Sequence, residues 1–149
     1  MEPTRLQFTQ AKARLSDVYD AVELQRGARV IERHKSAPLA LLRCDDLAEL
    51  LAKDFAFTTQ MSRASDATVS VWLHELDIYG RGPTIAAAVE DLLDEVDDYV
   101  EEWEQDLHRA PNHADRAWWI RRVQLAAGRD ELREMIFPAP GVASVTALG

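Results

Sequence analysis

The chain has a single cysteine, Cys44, so no internal disulfide can form and a reducing compartment suits it. Cys44 lies in an apolar run that reads as a strand, away from the electropositive helix end that activates a thiol, and is expected in the core. Long hydrophobic runs are missing too. The uncharged stretch Ile136–Leu148 carries Pro138 and Pro140 and is too short for a bilayer span, so no membrane partner is expected. The opening Met1-Glu2-Pro3-Thr4-Arg5 has no apolar segment of the secretory kind, which makes a cytoplasmic location the expectation. There is no glycine-rich phosphate loop, since Gly80-x-Gly82 is only two glycines at a strand–helix junction. His34, His74, His108 and His113 show neither metal-ligand spacing nor a cysteine partner, so neither metal nor cofactor is expected. Asp54, Glu75 and Asp77 suggest a nuclease metal site, but nothing in their spacing makes three carboxylates converge on two ions. No catalytic residue is assigned, and the chain reads as a non-enzyme.

Basic residues are scarce in one place only. The net charge of −9 divides into +1 for residues 1–53, −11 for residues 54–109 and +1 for residues 110–149. An asymmetry of this kind fits segments that meet different partners, and equally a solvated helix face.

In residues 1–53, Arg5-Leu6-Gln7-Phe8 alternates as a strand does, and Thr9 is placed to cap a helix whose apolar stripe is Ala11, Leu15, Val18, Tyr19 and Val22. Gly27 suits a left-handed helix end. Arg29–Arg33 and Pro38–Arg43 read as strands joined by a turn at His34–Ala37, and Asp45 or Asp46 can cap a last helix, Leu47–Lys53. The order is strand, helix, strand, strand, helix. So short a segment with few large apolar side chains makes a marginal core, which favours a homodimer or a higher even oligomer.

Thr9-Gln10-Ala11-Lys12-Ala13-Arg14-Leu15-Ser16 resembles the Ser-Glu-Ala-Arg-x-x-Leu-Ser opening of Phd/YefM antitoxins. Val30-Ile31-Glu32-Arg33-His34 is similar to their Val-Ile-Thr-Arg-His, and Pro38-Leu39-Ala40-Leu41-Leu42 to their Pro-Val-Ala-Val-Leu. The resemblance implies a dimerising module that binds its own operator DNA. The DNA-contacting roles fall on Lys12 and Arg33, with Arg14 and Lys35 as neighbouring cations. Lysine at position 12 lacks the planar fork of arginine, so it suits a phosphate better than a guanine edge.

Residues 54–109 read as a β-hairpin, from the alternation of Phe55, Phe57, Thr59 and Met61 and then of Val69, Val71 and Leu73, with a further strand at Ile78-Tyr79. Gly80–Thr84 is expected to break the sheet, and Thr84 to cap a helix of about seven turns ending at Pro111. Its apolar repeat runs Ile85, Val89, Leu92, Leu93, Val96, Tyr99, Val100, Trp103 and Leu107, opposite a nearly solid acidic face. Leu73-His74-Glu75-Leu76 and Gly82-Pro83-Thr84 resemble the Leu-Pro-Asp-Leu and Gly-Asp-Thr of HicB antitoxins, whose domain is a reduced ribonuclease H-like fold. That resemblance implies neutralisation of a small basic toxin ribonuclease. Its candidate contacts are Asp91, Asp94, Glu95, Asp98, Glu101 and Glu102, each alone also an ordinary solvated position.

Residues 110–149 read as a helical extension. Asn112 is placed to cap a helix through Ala126 that Gly128 ends, Asp130 to start a short further helix, and the chain after Pro138 to be poorly ordered. Trp118 and Trp119 stand about 100° apart on a helix, so one core cannot hold both. They serve either packing, on the domain and at a dimer interface, or partner anchoring. The whole is an α+β chain that resembles an operator-binding, toxin-neutralising antitoxin. The alternative is a regulatory interaction protein that kept both folds without a toxin.

Overall fold

The structure is a computed structural model that describes residues 3–138 and, as backbone alone, residues 145–148. The fold is α+β, and the chain divides into two compact units, residues 1–50 and 51–149.

The first unit holds β1 (Arg5–Gln7), α1 (Phe8–Ala13), α2 (Leu15–Gln25), β2 (Arg29–Glu32), β3 (Leu39–Leu41) and the start of α3 (Cys44–Asp54). The sheet order is β1-β2-β3, with β1 parallel to β2 and β2 antiparallel to β3. Helix α1 starts directly after the strand rather than after Thr9, because the Gln10 side chain reaches back and accepts the Gln7 N–H at 3.0 Å. The expected single helix is two, broken at Arg14 (φ −122°, ψ 33°). The left-handed end falls on Arg26 (φ 52°) rather than Gly27. Leu6, Ala11 and Val18 form the core cluster, with Ile31 and Leu41 against it. Cys44 is exposed at the first position of α3, not buried in a strand, because β3 stops at Leu41. Asp45 and Asp46 lie in the first turn of α3, where a helix N-terminus favours negative charge.

The second unit contains β4 (Thr59–Arg63), β5 (Val69–Leu73), β6 (Ile78–Gly82), α4 (Ile85–Gln105), two 3₁₀ turns (Leu107–Arg109 and Pro111–Arg116), α5 (Ala117–Gln124), α6 (Arg129–Ile136) and β7 (Val145–Leu148). The sheet order is β6-β5-β4-β7; β4, β5 and β6 form an antiparallel meander, and β7 runs parallel to β4. The period-2 pattern holds: Val69, Val71 and Leu73 are buried while Ser70 and Trp72 face out.

Gly80 and Gly82 do not interrupt the sheet: both lie within β6, Gly82 as its last residue. A Cβ on Gly80 would lie 2.3 Å from the Ala88 carbonyl oxygen and 2.4 Å from the Leu92 nitrogen, so the missing side chains admit α4. Thr84 caps α4, its Oγ1 accepting the Ala87 N–H at 3.1 Å. The helix ends at Gln105, earlier than its apolar repeat suggests, and the chain passes into 3₁₀ turns. The expected helix from Asn112 starts only at Ala117 and stops at Gln124, and Gly128 instead precedes α6. Ile120, Val123, Leu132 and Ile136 join the α4 and sheet side chains in one core. The stretch expected to be poorly ordered lies outside the described residues at 139–144 and 149, whereas 145–148 form β7.

Candidate functional site

In the first unit Gln7 pairs with Glu32 across β1 and β2, so the residues that follow, Phe8 and Arg33, emerge at one end of the sheet. The Arg33 guanidinium lies 4.8 Å from the centre of the Phe8 ring, a cation–π contact. Lys12 is exposed four residues after Phe8, on the same face of α1. Arg33 and Phe8 thus meet at the start of α1, and Lys12 stands exposed in its last turn. Lys35 sits in the adjoining turn with φ 60°, and the Ser36 N–H donates to the Arg33 carbonyl at 3.0 Å. Arg14 stands at the α1–α2 break and pairs with Asp17 at 3.6 Å. The nearby carboxylate of Glu32 is neutralised by Arg5 at 2.6 Å. A cleft of about 510 Å³ opens in the same unit, lined by Tyr19, Val22, Glu23, Leu41, Leu42, Arg43, Cys44 and Asp45. At its rim the hydrogen-bonding Arg43 guanidinium holds the Asp45 carboxyl below the usual carboxylate range.

In the second unit the acidic residues of α4 separate into two stripes at three- and four-residue spacing. One stripe is Glu90, Asp94, Asp97, Glu101 and Glu104. Glu90 pairs with Arg133, and Arg129 bridges Asp94 at 2.6 Å and Asp97 at 3.3 Å. Glu104 accepts from Gln124 at 2.8 Å, and Glu101 from Gln105 at 3.3 Å. This stripe holds α5 and α6 onto α4.

The other stripe is Asp91, Glu95, Asp98 and Glu102. Asp91 Oδ2 accepts the backbone N–H of Arg81 at 2.8 Å and so belongs to the frame. Glu95, Asp98 and Glu102 are exposed, and their carboxylates make no hydrogen bond or ion pair among the described residues. Three of the six sequence candidates on α4 are therefore open to a partner.

Trp118 and Trp119 both pack on Phe55, at 5.8 Å stacked and 5.0 Å edge-on. Trp119 is fixed further, its Nε1 donating to the Ala56 carbonyl at 3.0 Å. Trp118 is 45% exposed, with the Arg121 guanidinium 4.4 Å from its ring centre. Arg122 donates to the Phe55 carbonyl at 2.8 Å, and burial lowers its pKa. Two of the three carboxylates that suggest a metal site are structural acceptors: Glu75 takes the Thr58 N–H at 2.9 Å and Asp77 the Trp72 Nε1–H at 2.9 Å. Among the described residues no three His, Cys, Asp or Glu are grouped to hold a metal ion, and no helix is long and apolar enough to cross a membrane.

A family model for antitoxins of toxin–antitoxin systems, described as PHD-like and RelE/RelB, matches residues 1–138 and so spans both units. The chain belongs to this antitoxin family. The fold matches the crystal structure of an antitoxin part of a candidate toxin/antitoxin system from Syntrophomonas wolfei subsp. wolfei. The TM-score is 0.71 at 17% identity, with 99% of each chain covered. None of the curated proteins compared with the antitoxin matches it.

Two features of the antitoxin escape a reading of its sequence. Phe8 fits the strand alternation so well that nothing marks it as the ring under Arg33. The bound acidic stripe depends on Arg129 and Arg133, which follow α4 by more than twenty residues; their placement in a tail of near-neutral charge is the only clue.

Proposed function

We propose that the antitoxin is a cytoplasmic, non-catalytic, homodimeric repressor that binds operator DNA through its Phd/YefM-like first unit and a basic toxin through its HicB-like second unit. The observation that carries this reading is the opposite character of the two exposed surfaces. One unit offers Lys12, Lys35 and the Arg33 held on Phe8; the other offers Glu95, Asp98 and Glu102 on a rigid helix.

The cations suit phosphates and a groove edge, and a two-fold dimer supplies two sets, enough to bind duplex DNA despite a net charge of −9. The dimer is supported by the apolar cleft at Tyr19, Val22, Leu41 and Leu42 and by the exposed Leu15, Tyr19 and Leu24 of α2. The free carboxylates attract a basic protein, mainly through association rate and orientation.

Association with the cognate toxin, followed against salt, tests the toxin half. Changing Glu95, Asp98 and Glu102 together to Lys is expected to slow association about tenfold or more and to weaken its salt dependence. Unchanged association would leave these charges as a solvated surface.

A further inference from the structure

Strand β6 forms one edge of its sheet. The direction of its free polar groups follows from a single contact, the Arg81 N–H donating to Asp91 at 2.8 Å. In an antiparallel pair, alternate residues turn both N–H and C=O to the same side. The groups of Tyr79 and Arg81 therefore point away from β5. Asp91 occupies one of them, and among the described residues the Arg81 carbonyl and both backbone groups of Tyr79 are left for an incoming chain.

Helix α4 retraces β6 in the opposite direction. Gly82 faces Ala87 and Ala88, and Gly80 faces Ala88 and Leu92. At about 1.5 Å per residue, the next turn brings Glu95 level with the Ile78–Tyr79 end and sets Asp98 a further turn on. They share the stripe of Asp91 and so lie on the open side of the strand. On the opposite face of the sheet Tyr79, 45% exposed, stacks on Trp72 at 5.7 Å and 6°. Trp72 is itself held by Asp77 at 2.9 Å.

We propose that the antitoxin receives its toxin as an added strand on the free edge of β6. The toxin segment carries Lys or Arg on the side facing α4 and apolar residues on the side facing Tyr79 and Trp72. This rests on the toxin-binding reading above and names the docking element.

Backbone hydrogen bonds supply affinity in strand addition, and the alternating side chains supply selectivity. Charge decides the occupant. A second copy would set its own Glu95 and Asp98 against these, and residues 51–149 hold nine Lys and Arg against eighteen Asp and Glu. Like charge rejects self-pairing, whereas a basic strand meets it favourably.

The test is amide hydrogen exchange, read by NMR on the isotope-labelled full chain. The probe is a capped six-residue peptide of alternating Lys and Val, at millimolar concentration, and the control a peptide of alternating Glu and Val. The Lys–Val peptide is expected to slow exchange at Tyr79 about tenfold. The double variant Glu95→Lys, Asp98→Lys should weaken its binding about tenfold, and the Glu–Val peptide should do nothing. Binding that depends on Glu95 and Asp98 but leaves Tyr79 unprotected overturns strand addition while toxin binding by the acidic stripe stands. No binding, or equal protection by both peptides, also overturns it, and the toxin association measurement then judges the broader reading by itself.

Discussion

The two units of this antitoxin treat apolar surface in opposite ways. In the first, the core cluster is Leu6, Ala11 and Val18, while Leu15, Tyr19, Leu24, Leu39, Leu42 and Leu50 stand exposed, Tyr19 at 62% and Leu24 at 74%. In the second, fourteen buried residues form one core, and among the described residues the large exposed apolar side chains are few: Tyr79, Ile85 and Trp118. A unit of about fifty residues cannot enclose much apolar volume alone, and a second copy is the simplest way to cover what it leaves out. The larger unit is closed, so its exposed residues are freed for charge and for partner contact. On the function proposed, the first unit associates to cover its own apolar surface and the second through its charged one.

Damage to the closed core of the second unit should cost the most stability. Gly80→Ala sets a Cβ within 2.6 Å of α4 backbone and the Leu92 side chain. None of the backbone atoms it meets can rotate aside, so urea denaturation is expected to show a loss of about 3 kcal/mol, the upper range for overpacking. Gly128→Ala is the control, since a Cβ there meets nothing within 4 Å. Equal midpoints for the two would mean that α4 is not seated on β6 as closely as described.

The contrast between these two glycines also shows what a sequence can reveal. Regular periodicity was legible: the alternation of Val69, Val71 and Leu73 gave a strand, Thr84 a cap, and the apolar repeat from Ile85 a helix facing the core. Gly80 and Gly82 read as a break because glycine favours turns, whereas here they serve close approach between strand and helix. Cys44 looked buried because the apolar letters before it continue past the end of β3. The site was legible in composition but not in allocation. The acidic face was evident, yet which carboxylates are free depends on Arg129 and Arg133, and no local pattern encodes a pairing that distant. Lys12 and Arg33 are legible only through family likeness, and only the parallel pairing of β1 and β2 brings Phe8 beside Arg33.

Dimerisation gives the next largest effect. The double variant Tyr19→Asp, Leu24→Asp places two carboxylates where the first unit exposes apolar area, and sedimentation is expected to show dimer dissociation strengthened about a hundredfold, or about 2.7 kcal/mol. Trp118→Asp in the second unit should leave the dimer intact. The reverse pattern would place self-association in the second unit.

DNA binding sharpens the role of the first unit further. Arg33→Ala is expected to weaken operator binding by about 1–3 kcal/mol if the guanidinium on Phe8 reads a base edge. Lys12→Ala should weaken binding about equally for all sequences and reduce the log affinity–log salt slope by roughly 0.9. Phe8→Ala separates position from charge: it removes the ring under Arg33 but no cation, so affinity should fall while the salt slope holds. Unchanged affinity in all three would leave the first unit a dimerisation module alone.

The smallest expected effect distinguishes the two acidic stripes of α4. Glu90→Gln removes the charge that pairs with Arg133 and that raises the Arg133 pKa through its hydrogen bond. Glu102→Gln removes a charge with no partner among the described residues. Both changes relieve repulsion along a helix crowded with carboxylates, so that contribution is shared. Only Glu90→Gln also loses an attraction, between side chains that remain partly exposed. Melting in low salt is expected to place Glu102→Gln at or slightly above the parent and Glu90→Gln slightly below it, with the gap closing as salt screens the pair. Toxin association should show the opposite ranking, with Glu102→Gln the slower of the two. If Glu102→Gln melts as low as Glu90→Gln, the stripe read as free has an internal role, and the acidic surface offered to the toxin shrinks to Glu95 and Asp98.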